Sequence, residues 1–173
     1  MDEGFTFVSI DRALSIIDSG SNEKFALITF DDVPYDMFEN GYPLLKQMNL
    51  PFTVFVTVRS IDKNGFLSSE QLSVLNAEPL CTIGAHTLTH PQLRYAKNAY
   101  EEICRSKSEL ENIIGKKVDY FAYPFGRVST ISRKNIACVK RAGYKCAFST
   151  ISSDISDYTS KYRWFLPRVV INK

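Results

Sequence analysis

The chain holds two histidines, and both stand in the stretch GAHTLTHPQL, as His86 and His90. On a helix or in a tight loop, residues four apart can face one point, so both rings are able to offer a nitrogen to one ion. Two neutral imidazoles plus one carboxylate form a catalytic zinc set that leaves a coordination position for water. The spacing alone is weak evidence, because ordinary surface or core histidines produce it too. A second group is ITFDDVPYD, in which Asp31 and Asp32 follow FALITF directly. Carboxylates ending an apolar strand are costly to bury unless compensated, and neighbours on a regular strand point to opposite faces. For both to serve one site the backbone must leave strand geometry, with which Pro34 agrees. A turn or helix cap is the plainer reading of such a pair. The third group is DYFAYPFGR, where Pro124 has no N–H and the N–H of Phe125 is a candidate fixed donor for an oxyanion. Read alone, it is an aromatic strand ended by Pro and Gly.

These groups matter together only if the fold gathers them. Apolar runs rich in β-branched and aromatic residues recur at 25 to 30, 52 to 58, 81 to 86, 118 to 125 and 145 to 150, and read as buried strands. Helical spacing fills the intervals, at 11 to 18, 35 to 48, 69 to 77, 99 to 114 and 132 to 142. In the fourth of these Ala99, Ile103, Leu110 and Ile114 share a face opposite Glu101, Arg105, Ser108 and Asn112, with Gly115 as the stop. Alternating strands and helices predict an α/β fold with right-handed crossovers and a mainly parallel sheet, either open or closed as a barrel. In both forms, side chains that do chemistry collect at the C-terminal ends of the strands. Jointly the three strand ends offer a carboxylate pair, a histidine pair and a backbone donor, the parts of a metal-activated hydrolase.

The bulk numbers set bounds on partners. A chain of 173 residues fits one domain spanning 1–173 and is long enough to bury a core without staples. With a net charge of +2 and no run of Lys or Arg longer than two, the electrostatic footprint of a nucleic-acid binder is missing. No stretch approaches the ~20 apolar residues of a membrane span. Residues 1 to 20 carry Asp2, Glu3, Asp11, Arg12 and Asp18 where a signal peptide needs an apolar segment. Cys81, Cys104, Cys138 and Cys146 lack CxxC spacing, and three lie in apolar surroundings that suit buried thiols better than metal ligands. This favours a reducing compartment, the cytoplasm, for the chain as given; the cell envelope remains open if an upstream signal has been removed.

TFDD at 29 to 32, HTLTH at 86 to 90 and FAYPFG at 121 to 126 resemble, in that order, three motifs of the polysaccharide deacetylases with a NodB-type domain, carbohydrate esterase family four. MNLPFTVFV, LSSEQL and RAGYKCAFST extend the resemblance over most of residues 25 to 150. It implies a distorted, incomplete (β/α) barrel and a divalent metal, usually zinc, held by Asp32, His86 and His90, with Asp31 as catalytic base. Thr87 and Thr89 would orient the ligands. The implied reaction removes N-acetyl groups from a sugar of N-acetylglucosamine type, in an oligo- or polysaccharide, with the Phe125 N–H helping to hold the oxyanion. Tyr123, Phe125 and Trp164 are candidates for stacking on sugar faces, with core packing as the alternative, weighted more to Phe125 than to Trp164.

Three departures accompany the resemblance. Ala122 stands where the full pattern has an Arg that orients the base, and Val33 where a glycine usually follows the Asp pair. LPRVV, with Arg168, stands where a late motif supplies a histidine to protonate the leaving amine. FAYPFG with LPR is similar to the poly-N-acetylglucosamine deacetylase-like subgroup, whose motif order is permuted so that this histidine lies upstream of the Asp pair. GFTFVSIDRAL resembles the segment that would follow it, so a histidine-bearing segment is expected upstream. Otherwise the leaving-group proton must come from Asp31, from water or from residues outside this chain. The alternatives are a glycan-binding module of the same fold that has lost turnover, and a metal hydrolase for a small non-glycan amide.

Overall fold

A computed structural model describes residues 4–155 and 162–171. In chain order the elements are β1 (Thr6–Phe7), α1 (Ile10–Ser19), β2 (Phe25–Ala26), β3 (Ile28–Asp31), α2 (Tyr42–Gln47), β4 (Phe52–Val56), α3 (Ser69–Ala77), β5 (Cys81–Ala85), α4 (Ala99–Ile114), β6 (Tyr120–Ala122), α5 (Arg133–Arg141) and β7 (Cys146–Phe148). Strands β3 to β7 form one parallel sheet in their sequence order, while β1 and β2 pair in a separate two-stranded sheet. Sequential order without a reversal is the pattern of a barrel rather than of a doubly wound sheet. The sheet curls into a half-barrel.

Side-chain alternation along the strands separates two cores. Val54, Phe121 and Ala147 join the larger one, with Leu45 of α2, Leu72 and Leu75 of α3, Ile103 and Leu110 of α4 and Val139 of α5. Their neighbours Phe55, Tyr120, Ala122, Cys146 and Phe148 point the other way, into the half-barrel, where Ile10 and Leu14 of α1 pack on them. The same register turns Thr29, Asp31 and Gly84 inward, since Phe30 packs on the larger core and Gly84 lies against the Phe55 ring.

Several expected elements are shorter or divided. The run 25 to 30 is not one strand: the chain changes sheets at Leu27, whose side chain packs against the inner core and against a small cluster of Val8, Ala13 and Ile16. The helix expected over 35 to 48 begins as a wide turn, Met37–Gly41, before α2. Pro43 has no N–H for an i→i−4 bond, and the Tyr42 N–H reaches back five residues to the Met37 carbonyl instead. Only Tyr120–Ala122 of 118 to 125 is strand. Helix α4 matches its expected face and stops at Gly115 in a left-handed conformation, and α3 and α5 start at capping boxes, Ser68 with Gln71 and Ser132 with Asn135. The four cysteines are free. Burial pushes the Cys81 thiol up to about 12, which suits an inert thiol. No helix among the described residues is long and apolar enough to cross a membrane.

Gly84 fixes how closely β5 approaches the interior. A Cβ there would sit 2.5 Å from the Phe55 ring and 3.0 Å from the Tyr120 carbonyl. Gly84→Ala is therefore expected to destabilise the fold by about 1–3 kcal/mol through overpacking. Urea denaturation measures this, and a loss under about 0.5 kcal/mol would mean that the Phe55 ring yields.

Candidate metal centre

Each residue of the centre sits where a parallel strand ends. Asp31 closes β3 facing inward, and on a regular strand Asp32 would then face outward. The backbone instead swings to φ 62° at Asp32 and 50° at Val33, with the Val33 N–H donating to the Asp31 carbonyl at 2.7 Å. This is the departure from strand geometry that a shared site demands. His86 follows β5 and is wholly buried. Its Nδ1 lies 2.8 Å from the carbonyl oxygen of Ala122, which can only accept, so Nδ1 carries the proton and Nε2 keeps its lone pair. Left-handed backbone at Thr87 (φ 69°) and His90 (φ 62°) turns the loop so that His90 comes back beside His86. The Thr87 hydroxyl accepts from the His90 N–H at 3.0 Å.

The Nε2 atoms of His86 and His90 lie 3.8 and 3.4 Å from Asp32 Oδ1, and one ligand atom from each residue falls within 4.8 Å of the others. Donors bound tetrahedrally at about 2.0–2.1 Å from an ion stand roughly 3.3 Å apart, so the set fits a divalent cation. Its charge fits as well. Burial, opposed by Asp31 and Asp32, holds the His86 imidazole below its usual pKa and therefore neutral, so its Nε2 lone pair faces the Asp32 carboxyl. The Thr57 hydroxyl steadies this arrangement, lying 3.3 Å from both Asp32 Oδ1 and the His86 carbonyl oxygen.

Asp31 is held from the opposite edge of the sheet. Arg168 places Nη1 2.8 Å from Asp31 Oδ1 and Nη2 2.6 Å from Oδ2, a two-pronged ion pair, and Nη1 also donates to the Thr29 hydroxyl at 3.1 Å. Its Nε donates to the Ser149 carbonyl at 2.8 Å, and the guanidinium carbon lies 5.7 and 5.9 Å from the Phe55 and Phe148 ring centres. Burial alone would raise the Asp31 pKa. The Arg168 hydrogen bonds and the Arg168 charge oppose it, and the carboxyl lies below its ordinary value.

Arg168 was legible only as a departure from a motif, and its partnership with Asp31 is what the sequence reading missed. One signal was present: an acid ending an apolar strand needs a compensating charge, and Arg168 stands in the apolar stretch LPRVV. Phe125 also lies in the left-handed region, at φ 62°. Its carbonyl accepts from the Thr150 hydroxyl at 2.7 Å, and Gly126 packs so tightly that a Cβ would come within 2.4 Å of the Thr150 nitrogen. No hydrogen bond is made to the Phe125 N–H among the described residues. The Phe125 ring is 45% exposed and lies against the His90 ring, centroids 4.8 Å apart. The weighting of the stacking candidates is therefore reversed. Tyr123 is fully buried, while Trp164 donates to the Tyr144 carbonyl and packs under Lys140, so Phe125 alone of the three offers a free face beside the centre.

The family model for polysaccharide deacetylases matches residues 18–147, and the chain belongs to that family. Among curated proteins, YxkH of Bacillus subtilis is 28% identical over 153 residues, 86% of this chain and 53% of its own length. The poly-beta-1,6-N-acetyl-D-glucosamine N-deacetylase of Staphylococcus aureus is 24% identical over 160 residues, 84% of this chain and 53% of its own length. The chain thus spans about half the length of the curated relatives it matches. Among solved structures, the Streptococcus pyogenes deacetylase PplD in complex with acetate superposes with a TM-score of 0.87 over 98% of this chain and 75% of that one, at 24% identity. That likeness is one of fold.

Occupancy of the centre has a thermodynamic signature. A divalent ion at about a hundred times its Kd should add about 2.7 kcal/mol to the unfolding free energy, and His86→Ala should abolish the increment. Thermal unfolding with and without a chelator tests this; equal stability in both conditions would remove the centre's claim to a metal.

Proposed function

We propose that the chain hydrolyses N-acetyl groups from a glycan of N-acetylglucosamine type, with zinc as the ion held by Asp32, His86 and His90. The observation that carries this reading is the inward Asp31, clamped by Arg168 beside the three-residue donor set, in a chain of the polysaccharide deacetylase family. Two imidazoles and one carboxylate suit zinc among the biological divalent ions. When bound, the ion lowers the pKa of water and polarises the acetyl carbonyl.

The chain's own residues supply the rest. Asp31 accepts the proton of the attacking water, and Arg168 keeps both carboxylate oxygens oriented while it does so. The Phe125 N–H, without an acceptor among the described residues and fixed through Thr150, donates to the oxygen of the tetrahedral oxyanion. The exposed Phe125 ring gives an apolar face against which a sugar or the acetyl methyl can rest. An oligo- or polysaccharide is the preferred substrate. The reading as a binding module without turnover rests on Ala122 in place of an orienting Arg and on the missing late histidine; Arg168 supplies the first of these contacts from the segment that follows β7.

Acetate release from short N-acetylglucosamine oligomers by metal-loaded protein is the direct measurement. Asp31→Asn should lower kcat on the order of 10²–10⁴-fold while metal content stays at the parental level. Arg168→Lys keeps the charge but not the two-pronged geometry, so kcat should fall with metal content again unchanged. An Asp31→Asn protein that releases acetate at the parental rate would sink the assignment of the base.

A further inference from the structure

The loop between the two histidines, residues 87 to 89, belongs to no regular element, so its backbone polar groups need partners of other kinds. Two of its carbonyls are met from the neighbouring strand end: the Val58 N–H donates to Thr87 at 3.2 Å and the Arg59 N–H to Leu88 at 2.8 Å. The amides on its other side have no backbone acceptor among the described residues. A single side chain meets them, Glu102 in the first turn of α4. Its Oε2 accepts from the Leu88 N–H at 3.0 Å and from the Thr89 N–H at 2.9 Å, and its Oε1 accepts from the Thr89 hydroxyl at 2.7 Å.

We infer that Glu102 is a positioning residue for the metal centre, setting the loop conformation that holds His90 against His86 and Asp32. The inference rests on the metal reading above. His86 needs no such help, because the end of β5 and the Ala122 carbonyl already fix it. His90 lies four residues beyond, after a left-handed turn at Thr87, and is itself left-handed. Strain of this kind persists only where surrounding contacts over-determine it. Glu102 supplies three such contacts from a 16-residue helix packed on the core through Ile103, Ser106 and Leu110. Removing the carboxylate leaves two amides unpaired and lets the turn relax, which moves His90 rather than unfolding the helix.

The test uses the whole chain and reads metal binding rather than turnover. Co²⁺ affinity is measured by competition with a chelator, and the site's geometry by the visible absorption of bound Co²⁺. Glu102→Ala, and Glu102→Asp with its carboxylate withdrawn by one methylene, should weaken binding on the order of 10–100-fold and alter the spectrum. Glu102→Gln retains an oxygen for the two amides and a donor for the Thr89 hydroxyl, so it should bind close to the parental level. A merely structural role would lower the urea stability of the metal-free protein while leaving the Co²⁺ affinity and spectrum in place. If Glu102→Ala and Glu102→Asp bind as the parent does, this inference fails alone; if the parent shows no saturable Co²⁺ binding, it fails together with the metal reading.

Discussion

The arrangement at the open side of the sheet depends on one ion pair, Arg168 with Asp31. Strands β3 and β7 are the two edges of a sheet that does not close, and Arg168 spans from one to the other. It follows a segment that runs beside β7, where Leu166 bridges Phe148 and the Ser149 N–H donates to the Leu166 carbonyl. From there its guanidinium reaches the Ser149 carbonyl on one side and Thr29 and Asp31 on the other. An inward carboxylate without such a partner would take up a proton or turn outward, and either change would remove the charge from beside the histidines. Both side chains are half-buried, and deleting one member would leave the other's charge behind without its partner. The pair is thus both the bridge across an incomplete barrel and the reason that Asp31 stays ionised within it.

Backbone strain is concentrated at the same strand ends. Asp32, Val33, Thr87, His90 and Phe125 are all left-handed, and none is glycine. Such conformations cost of order 1–3 kcal/mol each and need rigid surroundings. Val33 shows how the cost is met. A β-branched residue at φ 50° is strained, yet its side chain is buried in the larger core, where a glycine would contribute nothing. The strain has a use, since strand alternation alone would send Asp31 and Asp32 to opposite faces. Only by abandoning it can consecutive residues serve one centre.

Much of this was legible from residue types. The parallel α/β order followed from apolar runs separated by helical spacing, and the demand that the chain turn at Asp32 followed from placing two acids on one strand. Helix α4 could be read to its last turn because its apolar face and Gly115 agree. What escaped was non-local. Arg168 lies 137 residues from Asp31 and Glu102 lies 13 from Thr89, and no local periodicity links either pair. The run 25 to 30 divides into two strands because Leu27 packs between clusters that only the folded chain creates. Phe125 and Trp164 exchanged places for a similar reason: both are aromatic residues beside turns, and only tertiary packing decides which is covered.

Within this chain both histidines are drawn into the ligand set, so Asp31 is the group placed to handle protons in the proposed reaction, beside whatever the histidine-bearing segment expected upstream would add. A carboxyl held below its ordinary pKa is a weak base in water, so its task as base would rest on the acidifying ion that Asp32, His86 and His90 would hold. The same depression makes the protonated carboxyl a ready donor, so it can pass that proton to the departing amine once the C–N bond breaks. Arg168, bonded to both oxygens, keeps them in place through the exchange. One clamped carboxyl is thus placed to serve as base and then as acid, the role that an upstream histidine would share, because the two imidazoles of this chain face the candidate metal.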